Sequence, residues 1–313
     1  MDFKTPVIVS RTDRLGDLIL SLPVLWYLQQ NGFSEIYLRV SGYTQDIAQL
    51  AMENGLCRGF ILAGHEKNWA QILKNQEDEK KSLGLFLEHR QSARKVVRDL
   101  NLQWSMGPRT HLSALWSYTY SVSQHRSRCE KSEMEYNLDL AKVFLIKCGI
   151  EPKLNSKLLG PLIVPKDWQC PVDSPEIVIV LSTKGSAANL PADFYFNLAR
   201  EELKLGHKVD FLVAGTQAQE IKSKVAQEFV PELARGFVRL VGDFARIRDL
   251  VSYLSRAEKV ISPSTGPLHM AYALGVRVLG FYPGYSSKTR TQIFKRWRPA
   301  GFHHQNPIEF VEF

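Results

Sequence analysis

Cysteine is scarce in this 313-residue chain: Cys57, Cys129, Cys148 and Cys170 stand far apart, with no C-x-x-C pair. That spacing argues against a zinc cluster and a disulfide framework and leaves buried thiols as the expectation. The amino end lacks a long apolar run. Asp2, Lys4, Arg11, Asp13, Arg14 and Asp17 interrupt it, so neither a signal peptide nor a spanning helix is expected, and the chain reads as cytoplasmic. No G-x-G-x-x-G follows an apolar strand pattern, which ranks a nicotinamide dehydrogenase low. There is no low-complexity tract and no short repeat.

What is present is enough apolar material, 44% of the residues, for two cores of ordinary size. The net charge is +8, and it is concentrated. Nine Lys/Arg face three Asp/Glu between Lys81 and Lys131, and six face none between Arg277 and Arg298. Two local basic fields fit phosphorylated partners: sugar diphosphates, a phosphorylated lipid headgroup or nucleic acid.

Along the chain, residues 6–11 read as a strand, Leu18 to Gln30 as an amphipathic helix and 35–40 as a second strand. Gln45 to Asn54 reads as a helix and 58–63 as a third strand, before a charged insertion from Glu66 to Lys81. Residues 83–88 follow as a strand, Ser92 to Leu100 as a helix, Gly107-Pro108 as a turn, and Tyr136 to Cys148 as a helix ended at Gly149. A four-proline stretch, 157–175, marks a linker. Beyond it, strands at 176–182, 207–215, 237–242, 259–263 and 277–283 alternate with helices at Asp193–Leu205, Ala218–Phe229, Ile247–Ser255 and Pro267–Leu274. Such alternation predicts α/β architecture with two doubly wound, Rossmann-like domains, 1–165 and 166–313. A ligand cleft is expected at the carboxyl ends of their strands.

Two strings carry the chemistry. In ISPSTGPLH a strand ends at Pro263, Ser264-Thr265-Gly266 form a tight loop, and Pro267 opens a helix. Unpaired amides at the positive end of a helix dipole suit a phosphate, Gly266 permits close approach, and the Ser264 and Thr265 hydroxyls and His269 add donors. The blander reading makes Ser264 or Thr265 a helix cap. In SRTDRLGDL a strand leads to Gly16-Asp17 before a helix, where Asp17 is either an N-cap or a positioned carboxylate.

With Ser264, Thr265, Gly266, His269, Ala271, Ala273, Leu274 and Gly275 in register, the first string resembles the signature of glycosyltransferase family 9, the lipopolysaccharide heptosyltransferases. The second resembles the same family's opening, R/K-x-x-x-x-G-D and then a helix with S/T-x-P. The resemblance is strong at 7–23 and 259–283, moderate at 176–220 and looser at 35–160, through R-x-S-x-R/K and G-P-R elements. KRWRPAGF (295–302) is similar to the family's terminal segment.

The resemblance implies a GT-B fold: an acceptor-binding amino domain, and a carboxyl domain whose 264–269 loop holds the diphosphate and ribose of a nucleotide sugar. Asp17 is implied as the general base of an inverting transfer. Arg11, Arg14, Gly16, Arg94, Arg126 and Arg128 are expected on the acceptor side; Asp13 reads as a loop charge. The leaving diphosphate needs fixed positive groups or a metal. No D-x-D, the usual cue for a metal, is found in a cleft loop, and the acidic run Glu77-Asp78-Glu79 reads as part of a charged helix, so no metal or cofactor is expected. Ser182, Thr183 and Lys184 are candidate donor contacts, and Glu220 a candidate near the ribose or base. The family usually has aspartate at the place of Ser264 and often a basic residue at Ala188, for which Lys184 is the candidate substitute. ADP-heptose is the implied donor, with other nucleotide hexoses as alternatives, and Ser264 and Ala188 leave a non-catalytic sugar-nucleotide-binding relative as the alternative reading. The implied acceptor is a phosphorylated glycolipid reached from the inner face of the cytoplasmic membrane. A nucleic-acid module would account for the charge but not for these two strand–loop–helix units, and nucleic acid is not an expected partner.

Overall fold

The computed structural model describes the chain except residues 1–2, 70–81, 89–92, 110–115, 154–157, 160–161, 167, 169–172, 182–188, 216–217, 243, 287–290, 300–301 and 304–307. It divides into two compact units, Met1–Leu158 and Leu159–Phe313.

The first unit is built on β1 (Val7–Ser10), β2 (Ile36–Val40), β3 (Gly59–Leu62), β4 (Leu83–Phe86), β5 (Trp104–Arg109) and β6 (Tyr120–Ser123). Their order is β3-β2-β1-β4-β5-β6, with every pairing parallel. Helices α1 (Leu15–Ile19), α2 (Leu22–Gln30), α3 (Gln45–Glu53), α4 (Ala93–Asp99) and α5 (Glu133–Lys147) accompany the sheet. The central strands VIVS and LGLF are buried along their whole length, as continuous apolar runs in a parallel sheet must be.

The second unit repeats the plan with β7 (Ile177–Val180), β8 (Val209–Leu212), β9 (Val238–Val241), β10 (Lys259–Pro263), β11 (Arg277–Tyr282) and β12 (Ile308–Glu312). Their order is β9-β8-β7-β10-β11-β12, again wholly parallel. The helices are α6 (Ala192–Lys204), α7 (Ala218–Glu228), α8 (Val230–Ala234), α9 (Ile247–Leu254), α10 (Gly266–Ala273) and α11 (Ile293–Trp297). Tyr195, Phe196, Phe211, Phe229 and Phe281 interlock in its core. In both sheets the winding reverses beside the first strand, between β1 and β4 and between β7 and β10. The loops leaving those strands therefore open the crevice where such folds take ligands.

Several local expectations are corrected. Gly107-Pro108 is not a turn but lies inside β5. Gly107 is needed there because a Cβ would sit 2.4 Å from the Tyr118 ring. The helix expected from Leu18 to Gln30 is two helices, because Pro23 near the start of α2 cannot donate to a carbonyl of the preceding turn. Helix α5 starts at Glu133 rather than Tyr136, fixed by a capping box between Ser132 and Glu135. The described residues of the proline-rich stretch pack as part of the second unit instead of hanging as a connector. Leu162, Ile163 and Trp168 are buried, the Leu162 amide donates to the Ala273 carbonyl and Ser252 donates to the Trp168 carbonyl. Glu66, the first residue of the charged insertion, is buried and pairs with Arg39.

Candidate functional site

The loop leaving β1 carries the first set of residues. Asp17 is the third residue of α1; Arg14 occupies the N-cap position, and its side chain makes no capping hydrogen bond. The capping alternative for Asp17 therefore fails. The Asp17 carboxylate lies 3.1 Å from the Arg11 guanidinium, which also meets Asp13 at 2.7 Å and Glu133 at 3.2 Å and donates to the Leu87 carbonyl at 2.9 Å. Burial works against a charge on Arg11, yet Asp13, Asp17, Glu133 and Glu88 outweigh it and raise its pKa, so the guanidinium is permanently charged. Glu88, just past β4 on the other side of the switch point, accepts from Ser10 and Thr12. Burial and then Asp13 push its carboxyl above the usual range, against the pull of Arg11 and Arg39.

This geometry divides the arginines expected on the acceptor side. Arg11 is 3% exposed and Arg126 8% exposed. Arg126 is turned inward to Glu133, Gln124 and Asn137, so neither presents its guanidinium to a large ligand. Arg14, Arg94 and Arg128 are exposed, and Arg128 is only 3.9 Å from Glu130. Gly16 lies within α1, half-buried beside Asp17. The residues missed from sequence are Glu88 and Glu133. The capping box at Ser132 and Glu135 was the signal that would have put Glu133 in the first turn of α5.

The loop leaving β10 carries the second set. Thr265 is the N-cap of α10 in extended conformation, without a side-chain cap. Its hydroxyl lies 3.0 Å from Ser262 Oγ, and Ser264 faces the buried Tyr282 phenol. With the Thr265 hydroxyl turned into the fold, the backbone amides of Gly266 and Leu268 are the helix-start donors; Pro267 has none. His269 is 5% exposed. Burial lowers its pKa to about 4, so at neutral pH it is an uncharged imidazole. Its Nδ1 is buried without a hydrogen-bond partner among the described residues.

Glu220 is exposed on α7 and paired with Lys224 at 2.8 Å, which lowers its pKa. That is the placement of an ordinary helix glutamate. Ser182, Thr183 and Lys184, with Ala188, lie outside the described residues, as do Arg90, Ser92 and His111. Among the described residues no helix is long and apolar enough to cross a membrane.

Comparison with known proteins agrees with the two-sheet plan. The model of "Glycosyltransferase family 9 (heptosyltransferase)" matches residues 89–305. A Haemophilus influenzae protein, assigned provisionally as a glycosyltransferase, is 25% identical over 309 residues, covering 94% of this chain and 85% of its own. The family 9 glycosyl transferase of Veillonella parvula superposes with a TM-score of 0.76 at 16% identity, over 100% of this chain and 87% of that one. Escherichia coli heptosyltransferase WaaC, solved with ADP, gives 0.69 at 16% identity over 98% and 93%. Escherichia coli ADP-heptose lps heptosyltransferase II gives 0.63 at 14% identity over 98% and 90%. The fold is therefore of GT-B type, two Rossmann-like domains.

Proposed function

The chain belongs to glycosyltransferase family 9 (heptosyltransferase), and from that premise we propose that it transfers a heptose or a related sugar from a nucleotide-sugar donor to the core or lipid A region of a lipopolysaccharide, with inversion and without a metal. ADP-heptose is the first donor to try, since WaaC was solved with ADP and with ADP-2-deoxy-2-fluoro heptose. The observation that carries the reading is the pairing of functions with switch points. A carboxylate, Asp17, follows β1 in one unit, and an amide-rich helix start, Gly266 to His269, follows β10 in the other.

In the proposed step the Asp17 carboxylate takes the proton of the acceptor hydroxyl while that oxygen bonds to the anomeric carbon. The bond from the anomeric carbon to the diphosphate oxygen breaks, and the nucleoside diphosphate leaves with the electron pair. Its charge is met by the α10 amides and dipole, with Ser182, Thr183 and Lys184 as candidate partners from the loop after β7. A neutral His269 can donate one N–H without adding a charge. The exposed Arg14, Arg94 and Arg128 supply the first unit with surface cations for a phosphorylated glycolipid, in keeping with a peripheral position at the inner face of the cytoplasmic membrane.

A thermal-shift panel of ADP-, UDP- and GDP-sugars tests the donor, because a ligand that binds the native state raises its apparent stability. Asp17→Asn then tests the base: donor binding is retained and transfer is lost. Full turnover in that variant would reject the assignment, and a panel without any shift would reject nucleotide-sugar binding.

A further inference from the structure

Two chains of contacts run from Arg126 to Asp17. Along the first, Arg126 Nη1 pairs with Glu133 Oε1, the same oxygen lies 3.2 Å from Arg11 Nη1, and Arg11 Nη2 is 3.1 Å from Asp17 Oδ1. Along the second, Arg126 Nη2 donates to Asn137 Oδ1 at 3.3 Å, Asn137 Nδ2 donates to Ser21 Oγ at 3.2 Å, and Ser21 Oγ donates to the Asp17 carbonyl at 2.8 Å. One route ends on the carboxylate and the other on the backbone of the same residue. The members are sealed from water: Arg126 is 8% exposed, Glu133 and Ser21 1%, and Asn137 0%.

We infer that Arg126 and Glu133 are positioning residues that set the orientation and basicity of Asp17, rather than acceptor contacts; this rests on the reading of Asp17 as the base. The physical reason is that Arg11 is shared. Its single charge faces Asp13, Asp17 and Glu133 together, and Arg126 neutralises Glu133 from the far side. What Arg11 can give to Asp17 therefore depends on Arg126. A buried ion pair is a weak source of stability by itself, whereas a fixed one is a good ruler. Charged and titratable groups reach this cluster from the loop after β1 (Arg11, Asp13), the residues just past β4 (Glu88), the 3-10 turn Arg126–Arg128 and the first turn of α5 (Glu133).

The sign of the charge effect makes the inference testable. Arg126→Gln removes a positive charge and leaves Glu133 to compete for Arg11, so the Asp17 carboxyl should titrate higher. Glu133→Gln removes a negative charge and releases Arg11 to Asp17, so it should titrate lower, each by about half a pH unit for a charge acting at second hand. The double variant should return close to the starting value. The readout is the carboxyl carbon titration in protein labelled at aspartate, with the Asp17 signal identified by its loss in Asp17→Asn, alongside the acid limb of the kcat profile with ADP-heptose and deacylated lipopolysaccharide.

Opposed shifts, their cancellation in the double variant and an acid limb that follows them would support the inference. An unmoved Asp17 titration, or an acceptor KM raised tenfold by Arg126→Gln with the acid limb unchanged, would overturn it. Should Arg126→Gln fail to fold, the Glu133→Gln shift and recovery of folding in the double variant decide. A turnover-competent Asp17→Asn would instead sink the base reading, while the carboxyl titration would still test the network independently.

Discussion

Ser262 Oγ lies 3.0 Å from Thr265 Oγ1, and both side chains are buried. The hydroxyl that a phosphate-loop reading of ISPSTGPLH would turn outward is thus spent on tying the end of β10 to the start of α10. Thr265→Val keeps the shape and removes the oxygen. Ser262 retains its bond to the Pro263 carbonyl at 2.9 Å, so the loss should be about 1 kcal/mol of stability. Denaturant midpoints check this. Affinity for a nucleoside diphosphate should change by less than threefold; a tenfold loss at unchanged stability would mean that the hydroxyl serves the ligand.

His269 supplies a pH dependence whose direction is fixed. Its folded pKa, about 4 because of burial, is below the unfolded value near 6.5. The unfolded chain therefore binds more protons between those values. The stability that His269 contributes is fully present above pH 6.5 and is lost as pH falls towards 4, by roughly 3 kcal/mol at the limit. His269→Asn should flatten this slope in thermal unfolding between pH 6.5 and 4.5. An unchanged slope would place the titrating group elsewhere.

Much of this architecture was legible in the residues. The apolar runs VIVS, IVIV and KVISP had to be strands, and the turn chemistry after Pro263 had to start a helix. What stayed hidden was whatever depends on tertiary neighbours. Gly107 reads as a turn residue until Tyr118 is seen lying across it. Glu88 and Glu133 carry no motif; they matter because the sheet order sets β4 beside β1 and the fold brings α5 against Arg11. Arg126 looks like a surface cation in a basic stretch and Arg11 like a loop cation, and only the carboxylates around them show why they are buried. Glu220, by contrast, sits where ordinary helix surface chemistry would leave it.

Glu88 should act on stability in the sense opposite to His269. Burial and then Asp13 raise its carboxyl pKa, so the native state holds a proton that the unfolded chain gives up. Its contribution is fully present below pH 4.5 and is lost as pH rises through the folded value. In Glu88→Gln the amide oxygen still accepts from Ser10 and Thr12, and nothing remains to ionise. The variant should be at least as stable as the parent at neutral pH and should not fall away on the alkaline side. Comparing Tm from pH 5 to 9 checks this; a Glu88→Gln curve parallel to the parent's would remove Glu88 as the source.

Ser132 is 2% exposed and accepts from the Glu135 amide at 3.2 Å, while the Glu135 carboxylate accepts from the Ser132 amide at 2.8 Å. The first turn secured in this way carries Glu133, the carboxylate between Arg11 and Arg126. Ser132→Ala removes one arm of the capping box and should lower stability by about 1 kcal/mol, read from the denaturant midpoint at constant m-value. Amide hydrogen exchange in the first turn of α5 should rise with it, whereas the β7–β10 core, built wholly from the second unit, should keep its protection. Faster exchange throughout both sheets, with no excess in α5, would show that Ser132 acts on global stability rather than on the turn that holds Glu133.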